Sequence, residues 1–295
     1  MVSNAPTDPL SQVALRPDAP RRLTVIRPAS WARLGLLDDL KKLFQYRDLI
    51  YTLSVHRIKV RYKQSVLGIS WAILQPFTMM LIFTVIFSMV AKMPSDGAPY
   101  AVFAYTALLP WTFFSTALAN ATNGLVSHTQ LVTKVYFPRE ILPITYVIAA
   151  LFDFLIASTV LGGLMIYFRV TPGATALYAL PIILILTFFV TAMALLFSAT
   201  QVRFRDMGVA IPLLLQLWMF ATPIIYPLSA VPARLRPFYV LNPMVGVVEN
   251  FRQVILYRAA PDPQSLGLSA LLSVFLLLAS YLYFKRMEAT MADII

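Results

Sequence analysis

Phosphate chemistry in this chain would have to rest on its glycines. None of the ten is followed by Lys-Ser or Lys-Thr, so no loop of backbone N–H groups with an adjacent lysine exists to cradle a nucleotide. No Gly-x-Ser-x-Gly or His-Glu-x-x-His occurs, which removes the common hydrolase and zinc-protease arrangements. The two histidines, His56 and His128, are far apart and cysteine is absent. A metal site within one chain therefore lacks ligands, and disulfides are excluded. The acids are scattered, so no local carboxylate pair is available for acid–base work. A chain with this inventory is not an enzyme by its own motifs, and any work it does on a substrate must draw energy from a partner or a gradient.

Two further sets of residues carry potential chemistry. Asp153 is the one acid deep in an apolar run. An ionisable group there is costly and is a functional candidate by default, but no other apolar run carries a basic residue, which favours a protonated or hydrogen-bonded Asp facing another helix. The aromatics Phe77, Tyr105, Trp111, Phe113, Phe114, Trp218, Phe220 and Tyr226 would suit a path for sugar, because flat rings meet the apolar faces of pyranoses without fixed hydrogen bonds. The alternative is that they are packing residues and interfacial anchors.

The elements that position these residues are transmembrane. Apolar residues make up 59% of the 295 residues and charged residues 13%, against about 25% charged in soluble domains. Mean hydropathy is +0.74. Apolar runs lie at 66–91, 99–121, 141–168, 176–200, 207–228 and 266–284, each with about the 20 residues that cross ~30 Å of hydrocarbon. The fold class is an all-α integral membrane protein with six transmembrane helices. Prolines 76, 110, 143, 181, 212 and 223 lie in or near these runs, where neighbouring helices can re-satisfy the backbone.

Net charge is +11, and residues 1–67 hold 12 Lys/Arg against 5 Asp. Beside a membrane domain this balance points to anionic headgroups on the cytoplasmic side and not to nucleic acid. With six spans both termini share one side. The segments on that side carry 18 Lys/Arg and those on the other carry 6, which puts both ends in the cytoplasm. Residues 1–30 read as a flexible cytoplasmic tail with no signal-peptide core. Residues 31–65 form an amphipathic interface region, with Leu43, Tyr46, Ile50 and Leu53 on one face, and 66–290 form the transmembrane domain. Ile58–Lys63 alternates like a strand, but a lone strand at a bilayer leaves its backbone unpaired, so a helix is expected. Between spans five and six, 229–265 is too polar to cross. Asn242-Pro243 reads as an N-cap with proline at the first helical position, and Val247, Phe251 and Val254 share the face that follows. Re-entrant helices fit this pattern, with a surface amphipathic helix as the alternative.

The order and spacing of several motifs resemble the permease subunits of ABC exporters for surface polysaccharides (O-antigen, capsule, teichoic acid), the type-2 ABC permeases, over about 44–290. These are Tyr46-Arg47-Asp48-Leu49, Ile58 to Gly68 (IKVRYKQSVLG), Trp71 to Pro76 (WAILQP), Leu131 to Pro143 (LVTKVYFPREILP), Phe204-Arg205-Asp206, Thr222 to Pro227 (TPIIYP), Asn242-Pro243-Met244 and Phe251-Arg252. The resemblance implies a homodimer in the bacterial inner membrane, paired with two copies of an ABC ATP-binding subunit. ATP and Mg would bind in that partner, with no cofactor on this chain, and the cargo would be a lipid-linked polysaccharide. It also implies an interface helix over Leu40–Tyr62, re-entrant helices over 229–260, and an ATPase-coupling segment of Leu131, Lys134, Val135, Tyr136, Phe137, Pro138, Arg139 and Glu140. The mix of cations and aromatics there suits a groove on a partner, and Pro138 would stop the helix. The amino-terminal tail is long for the family. Rival readings are export of a lipid, drug or other amphiphile, which a narrow apolar cleft would favour, and a membrane-bound transferase, which would need carboxylates clustered at one face. A third rival, a passive channel, predicts no ATPase partner.

Overall fold

The computed structural model describes residues 36–63 and 65–294, so the expected tail lies outside them. Among the described residues there are helices and no strand: α1 (Leu36–Gln45), α2 (Arg47–Lys63), α3 (Ser70–Phe83), α4 (Tyr100–Gly124), α5 (Thr129–Lys134), α6 (Ile141–Tyr167), α7 (Ala179–Arg203), α8 (Met207–Phe220), α9 (Arg236–Val240), α10 (Pro243–Leu256) and α11 (Pro263–Ile294). Among the described residues, five helical stretches are long and apolar enough to cross a membrane: Gly68–Val90, Tyr100–Gly124, Ile141–Tyr167, Ala174–Arg203 and Pro263–Met291. The first joins α3 to a π-helical stretch, Thr84–Val90. Gly68, at φ +50°, makes the left-handed turn into α3 that a side chain would resist.

The fifth apolar run behaves differently from its sequence expectation. Its helix, α8, has 14 residues, about 21 Å at 1.5 Å per residue. Pro223 lacks an N–H and biases Thr222 away from helix, so the chain leaves the helix after Phe220. The freed carbonyls then need donors, because buried backbone groups are costly unpaired. Arg252 of α10 supplies them. Its guanidinium, 1% exposed, donates to Pro223 O and Ile224 O, both at 2.5 Å, and lies 3.7 Å over the Phe103 ring. Glu249 Oε2 is 3.7 Å away.

α10 sits inside the bundle against α4, α7 and α11. Asn242 caps it, accepting from Met244 N at 3.1 Å, and Val247, Phe251 and Val254 are buried on its inner face. A Cβ on Gly246 would collide with Ser269 of α11, so this crossing needs glycine. Asn250 stitches the same two helices, donating to Ser265 Oγ at 2.8 Å and accepting from Asp262 N at 2.6 Å.

α4 is the central helix, buried along most of its length. α3 with its π-helical continuation, and α8, keep broad apolar faces exposed, including Leu81, Val85, Met89, Val209, Leu213 and Leu217. At one end, Leu43, Tyr46, Leu49, Ile50 and Leu53 of α1, α2 and their one-residue junction pack against a second apolar cluster. The interface region is thus two helices broken at Tyr46, not one continuous rod. The alternating stretch Ile58–Lys63 is helical, and α2 leans along α6. Arg57 Nε donates to Thr145 Oγ1 at 2.6 Å, and its guanidinium lies 3.4 Å over the Tyr146 ring. Burial pushes the Arg57 pKa down, and Tyr146 opposes part of that shift. One turn on, Arg61 pairs with Asp153 Oδ2, and Tyr62 OH donates to Asp153 Oδ1 at 2.5 Å. Burial, reinforced by Asp153, raises the Tyr62 pKa, so the phenol stays a donor. Asp153 therefore has its partner on the helix before the first span.

Two outcomes are expected. Arg252→Met leaves two carbonyls and Glu249 unpaired, and destabilises the detergent-solubilised protein by about 3–5 kcal/mol. Arg252→Lys recovers little, because one ammonium lacks the planar fork. A wild-type unfolding midpoint for Arg252→Met would show that other donors serve these carbonyls. For the second contact, a cycle of Arg61→Gln, Asp153→Asn and the double variant should give a coupling of about 0.5–3 kcal/mol in the same melts, and strict additivity would deny the pair any stabilising role.

Candidate functional site

The linker between α4 and α6 is short and firmly seated. After α4 the chain makes a turn at Val126–His128, forms α5, and becomes extended at Val135 (φ −121°, ψ 132°). Pro138 and the extended backbone end helical structure until α6. Val132 and Phe137 are buried in the second apolar cluster with Leu142 of α6, Leu195 of α7, and Phe284 and Met287 of α11. His128 Nδ1 meets Gly124 O at 2.9 Å, and burial lowers its pKa, which favours the neutral ring.

An ion network ties the linker to α11. Glu140, 1% exposed, meets Lys285 Nζ at 2.6 Å, and Lys285 also meets Glu288 at 3.0 Å. Arg139 donates from its backbone N to Glu288 Oε1 at 3.1 Å and from its guanidinium to Glu288 O at 2.6 Å. Burial, then the Glu288 charge, raises the Glu140 pKa, and Lys285 opposes both. The eight coupling residues read from the sequence thus divide. Lys134, Val135 and Tyr136 project outward, Tyr136 being 85% exposed. Leu131, Pro138 and Arg139 are half-buried, while Phe137 and Glu140 are anchors facing the bundle.

The eight aromatics divide as well. Tyr105, Trp111, Phe113 and Phe114 are buried in the core. Tyr105 OH donates to Ala157 O at 2.9 Å, and the Phe114 ring lies 5.3 Å from Phe189 and 5.0 Å from Trp218. In the single chain these four pack helices together. Phe77, Trp218 and Tyr226 are half-buried and Phe220 is exposed. Trp218 Nε1 donates to Asn242 Oδ1 at 3.2 Å, and Tyr226 OH donates to Phe220 O at 2.7 Å.

Two grooves flank α8. One, of about 260 Å³, is lined by Leu118, Phe197, Ile211, Leu214, Leu215 and Trp218 and is apolar throughout. The other, of about 480 Å³, lies among α2, α3, α4, α6 and α8, within the size range of ligand sites. The Arg61–Tyr62–Asp153 cluster, Trp71, Gln75, Thr112, Ser115, Thr116 and Asn120 line it. Sequence reading missed this polar wall. Its signal was present: Thr112, Ser115, Thr116 and Asn120 recur at steps of three and four within an otherwise apolar run.

Residues 48–256, from the start of α2 to the end of α10, match the family described as ABC-2 type transporter. The chain is 32% identical over 171 residues to a protein of Myxococcus xanthus named O-antigen export system permease protein RfbA, covering 57% of this chain and 64% of that relative. A protein of the same name from Klebsiella pneumoniae is 29% identical over 161 residues, 54% of this chain and 61% of the relative. The chain thus spans less than two thirds of the length of either relative. A match over residues 48–256 of 295 covers most of the sequence and places this chain in the ABC-2 type transporter family.

Proposed function

We propose that this chain is the non-catalytic permease subunit of an ABC exporter that moves a lipid-linked cell-surface polysaccharide across the bacterial inner membrane. The observation that carries the reading is the family match over 48–256, which takes in the linker, together with relatives named for O-antigen export. In this reading α8 and the irregular segment up to Pro227 together make a sixth crossing, and both termini are cytoplasmic. α9 and α10 dip into the outer leaflet, where Arg252 satisfies the irregular backbone as lipid would require. Residues 31–65 form the interface region, 66–290 the permease domain and 1–30 a cytoplasmic tail. Two copies assemble through the exposed apolar faces of α3 and α8, and each binds one ATPase subunit carrying ATP and Mg.

Lys134, Val135 and Tyr136 are the contact tip for that ATPase. Phe137, Pro138, Arg139 and Glu140, with Leu131, hold the tip in place. Among the aromatics, Phe77, Trp218, Phe220 and Tyr226 retain open surface for a sugar path, whereas Tyr105, Trp111, Phe113 and Phe114 support it from behind. A second reading, export of a small amphiphile, draws support from the apolar groove lined by Leu214 and Trp218.

Purification of the tagged protein from native membranes, with mass spectrometry and an ATPase assay, tests the reading. An equimolar P-loop ATPase with turnover is expected, and a folded protein purified without one removes the exporter assignment. Tyr136→Ala and Lys134→Glu should abolish most surface glycan while membrane levels stay at wild type. Phe137→Ala should instead lower those levels, at a cost of about 3–5 kcal/mol for a buried phenylalanine. Normal glycan in both tip variants would dismiss the tip as the coupling contact.

A further inference from the structure

The 480 Å³ cleft has a wall that lipid does not explain. Gln75 of α3 and Thr116 and Asn120 of α4 all line it. Asn120 spends one N–H on Thr116 O at 2.7 Å. Among the described residues nothing takes its side-chain oxygen, the Thr116 hydroxyl or the Gln75 amide. Serine and threonine in membrane helices often satisfy themselves on their own backbone, as Thr112 does with Leu109 O at 3.0 Å. Carboxamides cannot do so completely, since each carries two donors and an acceptor with two lone pairs. Turned toward hydrocarbon, those atoms would go unpaired at substantial cost. The groove on the other side of α8 shows what a lipid-compatible wall looks like in this chain, with only apolar and aromatic side chains.

The polar wall is paired with an aromatic face. Trp71 lines the same cleft and is 52% exposed. Amide and hydroxyl groups beside an open indole form a surface suited to a sugar ring, whose hydroxyls hydrogen-bond and whose C–H face stacks. The Arg61–Asp153–Tyr62 cluster also lines the cleft, and its charges are spent on each other. This leaves neutral groups as the available contacts. We propose that the cleft is a hydrated binding surface for the hydroxyl groups of a sugar chain, with Gln75, Thr116 and Asn120 as its hydrogen-bonding residues and Trp71 as its stacking face. The proposal rests on the glycan-exporter reading and specifies where in each subunit the glycan is held.

The absence of cysteine makes the test direct. Thr116→Cys, Asn120→Cys and, in the apolar groove, Leu214→Cys are each assembled with the ATPase in proteoliposomes and exposed to a charged, water-soluble methanethiosulfonate. A hydrated cleft gives labelling at 116 and 120 at least about tenfold faster than at 214, because the reactive species is the solvated thiolate. In parallel, Asn120→Leu, Gln75→Leu and Trp71→Ala are scored for surface glycan and for basal ATP hydrolysis. Each should slow export about threefold to tenfold with hydrolysis and assembly unchanged, and Asn120→Gln should restore much of the loss. If the wild type exports glycan but 116 and 120 label no faster than 214, or if all three variants export normally, this proposal falls alone. If the wild type assembles with its ATPase and exports no glycan, the exporter reading falls and takes the proposal with it.

Discussion

A charge or an open carbonyl inside an apolar bundle persists only where a partner meets it, and that constraint organises this structure at three levels. Near α10, Arg252 is fully buried where the non-helical chain at Pro223 and Ile224 presents carbonyls that need donors. Beside α6, Asp153 is tolerated because Arg61 and Tyr62 reach it from α2. At the linker, Glu140 is buried against Lys285. Each pairing joins segments distant in sequence, so each fixes tertiary placement as well as local chemistry. Apolar contact alone, which is non-directional, would leave the helices freer to slide and rotate.

How much of this was legible in the sequence depended on whether the deciding interaction was local. Span length and apolarity located five helices long and apolar enough to cross, because hydrocarbon thickness sets a length any window can measure. The cap at Asn242-Pro243 was readable for the same reason: both parties lie within three residues. α8 came out shorter than its apolar run, since a proline inside an apolar stretch either kinks or ends a helix, and the outcome here is tied to Arg252, some 29 residues away. The partner of Asp153 was missed because it was sought in the other spans, whereas Arg61 stands 92 residues earlier on a helix outside them.

The candidate site follows the same logic. An aromatic list cannot separate packing from lining, because rings suit both and even a phenol or indole tip can be satisfied inside the bundle, as Tyr105 OH is on Ala157 O; in the single chain Tyr105, Trp111, Phe113 and Phe114 are buried. Polar residues at helical spacing do reveal a face, and Thr112, Ser115, Thr116 and Asn120 carried the more direct signal. In the linker, residue type was readable but direction was not. Tyr136 and Phe137 are neighbours of similar chemistry, yet one points outward and the other into the cluster. Only the packing of α7 and α11 against Phe137 decides between them.

These placements bear on how force from an ATPase would enter the membrane domain under the proposed function. The exposed tip at Lys134–Tyr136 is bracketed by Val132 and Phe137, both buried in a cluster shared with α7 and α11, so it would not move alone. The ions at Glu140, Lys285 and Glu288 bind the start of α6 to α11. Under that reading, a push on the tip would displace the base of α6, a continuous helix of 27 residues. Twelve residues along that helix, about 18 Å at 1.5 Å each, Asp153 holds Arg61 and Tyr62 at the wall of the polar cleft. Coupling between distant sites is carried by packed, rigid elements that respond as units. Under the proposed function, α6 would be that element, with the ion pair of Glu140 at its base and that of Asp153 midway along it, and it would carry motion toward the side of the bundle where the polar groups lie.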